Sequence, residues 1–80
     1  MSLSQEKIDF AKKFTITWVT DNLSRELNIA PEDALRQFAQ TKTYALLQKN
    51  ESFLYSESNE YVLDMLQSEL KGDWEEWLKI

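Results

Sequence analysis

Glycine and proline occur once each in this sequence of 80 residues, as Gly72 and Pro31. Strand-rich domains need many tight turns, and those turns draw on both residue types. A chain nearly without them is expected to be helical, with few and short connections. Both breakers also stand where helices use them. Pro31 precedes Glu32 and Asp33. That puts a residue without an N–H at a first helical position and two acids in the positively charged first turn. Gly72 follows Lys71 and offers a left-handed stop.

The most strongly specified helix ends at that glycine. Between Ser58 and Lys71, Tyr61, Val62, Met65, Leu66 and Leu70 form a series that an α-helix gathers on one side and a strand scatters. Ser58 is the expected N-cap, and Glu60 suits the first turn. The other helices are expected to pack against this apolar side.

Residues 4–27 read as one long helix with a stripe of Ile8, Ala11, Phe14, Trp18 and Leu23, widened by Val19 and Leu27. Acid–base pairs at i, i+4 join Asp9 to Lys13 and Asp21 to Arg25, each worth only about 0.2–0.5 kcal/mol. The β-branched run from Thr15 to Thr20 favours a strand by propensity, but the helical period runs through it from both flanks. Asn28 terminates this helix. A second runs from Pro31 to about Gln40, with Ala34, Leu35 and Phe38 inward and Glu32 paired with Arg36. A third, from about Lys42 to Gln48, is capped by Thr41 and turns Tyr44 and Leu47 inward, with Leu46 at the margin. Phe53-Leu54-Tyr55 reads as an apolar connector, extended or one short strand. After Gly72, Asp73 and Glu76 have capping-box spacing and open a short helical turn carrying Trp74, Trp77 and Leu78. The expected fold is all-α: a compact bundle of about four helices plus this C-terminal turn, one domain over residues 1–80.

Composition narrows the chemistry. There is no cysteine and no histidine, so disulfides, thiolate metal sites and imidazole bases are excluded. The formal charge is −5, and it is unevenly spread: seven basic and six acidic residues lie in 1–50, against two and eight in 51–80. An acidic C-terminal part disfavours phosphate backbones and anionic membranes as partners and suits the solubility of a small domain. No apolar run approaches a membrane span, and the N-terminus lacks a basic-then-apolar signal pattern. A soluble, cytoplasmic protein is the expectation.

Five constellations bear on function. Glu57, Glu60 and Asp64 are the nearest thing to a carboxylate cluster; such residues hold hard cations or divide acid and base roles, but they also belong on a solvated face at a helix N-terminus. Ser56 and Ser58 have no base nearby in sequence and read as caps. The helices over Pro31–Gln40 and Lys42–Gln48 have a helix-turn-helix look, yet the second offers only Lys42, Gln48 and Lys49, without arginine. Lys12 and Lys13 read as an ordinary exposed face. Trp74 and Trp77, at i, i+3, share a face with Leu78 beside them. Tryptophan serves both as core and as interface anchor.

The runs Ala34-Leu35-Arg36-Gln37-Phe38, Thr43-Tyr44-Ala45-Leu46-Leu47 and Leu54 to Asp64 resemble a family of short bacterial helical proteins, the domain of unknown function thirty-seven ninety-one. The likeness spans roughly residues 34–70, and its most specific part is the aromatic-x-x-Ser-x-x-Tyr pattern of Tyr55, Ser58 and Tyr61. Many members carry histidine where this chain has Tyr55, so no histidine role transfers. The resemblance implies a partner-binding or antitoxin-like role, because members are often encoded beside toxin-like genes of the ADP-ribosyltransferase type. It implies no catalytic residue. The expected function is therefore a non-enzymatic protein-interaction module without cofactor. Its partner is another protein or a second copy, met through Trp74, Trp77, Leu78 and Tyr55. The competing expectations are a small metal-dependent enzyme using Glu57, Glu60 and Asp64, and a nucleic-acid-binding regulator.

Overall fold

The computed structural model describes residues 4–72. Four helices follow one another: α1 over Gln5–Leu27, α2 over Pro31–Ala39, α3 over Lys42–Gln48 and α4 over Asn59–Lys71. Two 3₁₀ turns, Asn50–Ser52 and Leu54–Ser56, join α3 to α4. The fold is an all-α bundle, and no strand occurs among the described residues.

Local sequence explains the helix limits. Ser4, Thr41 and Ser58 each accept a backbone N–H three residues on, from Lys7, Tyr44 and Tyr61. These bonds satisfy amides that a helix start leaves unpaired. Ala30 offers no such side chain, and there Pro31 starts α2. Asn28 and Gly72 close α1 and α4 in the left-handed conformation, at φ 56° and 88°. Only glycine and, less readily, asparagine adopt it cheaply. The β-branched run 15–20 is helical throughout.

Val19, Leu23, Ala34, Phe38, Leu47, Leu54, Val62, Met65 and Leu66 form one core. Phe38 lies at its centre, fully buried, with the Tyr44 ring edge-on at 5.2 Å. Truncating it to alanine would cost on the order of 3–5 kcal/mol. Both α1 and α3 pack on α4 as expected, but α2 packs chiefly on α1 and α3. The long first helix is thus as much the organising element as α4.

The faces differ from the expectation more than the boundaries do. On α1 the buried positions are Ile8, Lys12, Thr15, Val19, Thr20, Leu23 and Ser24. Phe14 and Leu27 are exposed, as are Leu35 of α2 and Leu70 of α4. Lys12 is not on an open face: Nζ donates to Gln48 O at 2.7 Å and to Asn50 Oδ1 at 2.6 Å. Thr15 Oγ1 donates to Asn59 Oδ1, and Ser24 Oγ donates to Ile29 O. Polar residues that bond across the fold hold the inner face, and this turns the phenylalanines outward. The connector is neither extended nor a strand. Asp21 pairs with Arg25 as expected, whereas Arg36 pairs with Asp33 instead of Glu32, and Asp9 accepts from Gln5.

Candidate interaction surface

On an ideal helix, residues 10, 14, 17 and 21 fall on one face. In α1 these are Phe10, Phe14, Thr17 and Asp21, all exposed on the side away from the core. Phe10 is 71% exposed and Phe14 58%. Two large aromatic rings one turn apart in water are costly, at about 25 cal/mol per Å² of apolar surface. Next to them, between α1 and α2, lies an open, mostly apolar groove of about 390 Å³, lined by Ile16, Thr17, Thr20, Asp21, Pro31, Glu32 and Leu35. Leu35 forms part of its wall and is 41% exposed. Ridge and groove are continuous, since Thr17 stands one turn from Phe14 and also lines the groove.

Charges frame this surface unevenly. Lys13 stands at the ridge end and, among the described residues, makes no hydrogen bond or ion pair; at the groove end are Asp21, bonded to Arg25, and Glu32, which has no partner among the described residues. The floor holds an anomaly. Thr20 is buried, and its Oγ1 finds no partner among the described residues.

A second, smaller groove of about 260 Å³ lies where α1 and α4 end, lined by Leu23, Glu26, Leu27, Gln67, Leu70 and Lys71. On the connector, Phe53 is 63% exposed and adopts a left-handed φ of 55°, uncommon for a bulky residue. Its ring leans on half-buried Tyr55, centroids 6.2 Å apart. Of the four residues expected to meet a partner, Tyr55 therefore lies in an aromatic pair at the surface. Trp74, Trp77 and Leu78 lie outside the described residues.

The other constellations separate from one another. Glu57, Glu60 and Asp64 are exposed, and no group of three or more potential ligands among the described residues is placed to hold a metal ion. Ser58 is a cap, and Ser56 Oγ donates to Phe53 O at 2.6 Å. The N-terminus of α3, which a recognition helix would turn to DNA, faces a carboxylate instead. Glu69 accepts from Lys42 N, Thr43 N and Thr43 Oγ1 at 2.7–2.8 Å. No helix among the described residues is long and apolar enough to cross a membrane.

Sequence reasoning missed Phe10 and placed Phe14 in the core. The available signal was their position opposite Ile8, Val19 and Leu23, but the polar residues of the true inner face concealed it. Comparison with family models, curated proteins and solved structures finds no match. The family resemblance of residues 34–70 is carried by its residues alone.

Proposed function

We propose that this chain is a non-enzymatic protein-interaction module that docks its partner on the outer face of α1 and the adjoining α1–α2 groove. The observation that supports this most is the exposure of Phe10 and Phe14 beside a groove walled by Leu35. Contiguous apolar surface rimmed by polar groups is characteristic of interaction sites. Aromatic residues anchor such interfaces. An antitoxin-like role for this chain, with a toxin-like protein as its partner, agrees with what the family resemblance implies. Tyr55 with Phe53, and Trp74, Trp77 and Leu78, are secondary contact candidates. The test is affinity capture from the source cell with the native chain and with a Phe10→Ser/Phe14→Ser variant. Both side chains are largely exposed, so the variant should keep its helical circular dichroism. A partner held by the native chain and lost by the variant is the expected result. Equal capture by both would refute the surface.

A further inference from the structure

Resting on that reading of the α1 face, we infer that the α1–α2 groove takes an amphipathic segment of a different protein, one with a lysine or arginine beside its apolar anchor. Ile16, Pro31 and Leu35 give the groove apolar walls, and Thr20 lies on its floor with the hydroxyl buried. At about 390 Å³ the space is at the small end of ligand sites, which run from about 300 to 1,000 Å³. That suits the apolar side chains of one short segment laid along the two helices. Apolar walls accept any such segment, so its selection falls to the charges at the mouth.

Two carboxylates line the groove, Asp21 and Glu32, and no cation does. Arg25 bonds Asp21 at 2.8 Å, but the two side chains are 69% and 62% exposed, and a pair so open to water holds weakly. Glu32 has no partner among the described residues, which leaves one carboxylate uncompensated at the mouth. A basic segment meets attraction there, and an acidic one meets repulsion. Lys13 sets the direction. It precedes Asp21 by eight residues, about 12 Å along α1, so the base of the occupant belongs at the Asp21 end. The chain's own C-terminal segment brings the wrong charge. Trp74 and Trp77 flank Glu75 and Glu76, and three acids but one base follow Gly72.

Two synthetic peptides test the inference. Both are blocked helical peptides of about 15 residues with a leucine stripe, flanked by lysines in one and by glutamates in the other. Each is titrated into the isotope-labelled full-length chain, and amide shifts are followed by NMR. The lysine peptide should move the amides of Ile16, Thr17, Asp21, Glu32 and Leu35. It should bind about tenfold more tightly than the glutamate peptide at about 0.05 M salt. At about 0.5 M salt the difference should shrink to about threefold or less. Asp21→Lys with Glu32→Lys should reverse the preference, and Leu35→Ser should weaken both peptides by about tenfold. Far-UV circular dichroism checks that each variant folds. Equal binding of the two peptides, a preference that survives the charge reversal, or shifts gathered away from the groove overturns the inference. Groove amides that shift with the native chain's own concentration overturn it too, since the occupant is then a second copy. If the inference falls in any of these ways while the captured partner still depends on Phe10 and Phe14, the interaction surface of α1 stands without it.

Discussion

Thr20 shows how a single residue can be read against its surroundings. Its buried Oγ1 has no partner among the described residues, and an unpaired buried hydroxyl costs about 1–3 kcal/mol. Valine has the same shape without the hydroxyl. Thr20→Val is therefore expected to stabilise the fold by about 0.5–1.5 kcal/mol in urea denaturation, with an unchanged m-value. A loss of more than about 1 kcal/mol would mean that the hydroxyl is satisfied in solution.

At the scale of elements, α3 is the informative case. Seven residues are far too few for a helix to hold by itself. Two side chains from elsewhere hold its ends. Glu69 of α4 takes the N-terminal amides, and Lys12 of α1 takes the carbonyl of Gln48 at the last turn. Each charge also has the sign that the helix dipole favours at its end. Glu69→Ala and Lys12→Met are each expected to cost about 1–3 kcal/mol, since each removes charge-assisted hydrogen bonds that are partly shielded from solvent. Amide exchange should quicken in residues 42–48 before α1 responds. Uniform acceleration across all helices would show α3 to be no weaker than the rest. The same bonds explain what the sequence could and could not convey. Helix limits depend on neighbours, so Pro31, Thr41, Ser58 and Gly72 announced them. The inner face of α1 depends on partners 36 and 44 residues away, such as Gln48 for Lys12 and Asn59 for Thr15, and nothing local marks those positions as buried. The connector eluded the sequence for a related reason. Its turns close on the Ser52 and Ser56 hydroxyls, which bond to Leu46 O, Lys49 O and Phe53 O, while Phe53 takes a left-handed conformation that its residue type does not suggest. The exposed aromatic face of α1 was not legible: Phe10 went unremarked, and Phe14 was expected in the core.

For the whole molecule, size is the governing constraint. A domain of this length buries a modest fraction of its surface, and without cysteine it has no covalent reinforcement. Every additional apolar contact therefore weighs on its stability. Leu27 and Leu70 remain 45% and 58% exposed along the second groove, and Gly72 ends α4 beside it. The sequence that follows supplies Trp74, Trp77 and Leu78, apolar at i, i+3 and i+4, within a few residues of that groove. Each residue of chain reaches at most about 3.6 Å, so Trp74 has the reach to meet Leu70 or Leu27 of its own bundle. Truncation after Gly72 is accordingly expected to lower the melting temperature by roughly 4–8 °C, the equivalent of about 1 kcal/mol in a domain of this size. The loss should be the same at low and high protein concentration, because the contact lies within one chain. An equal melting temperature for the truncated and full-length chains would show that the tryptophans add nothing to the bundle and would make them contacts for a different partner. A loss that appears only at high concentration would instead make the C-terminal segment a contact between copies.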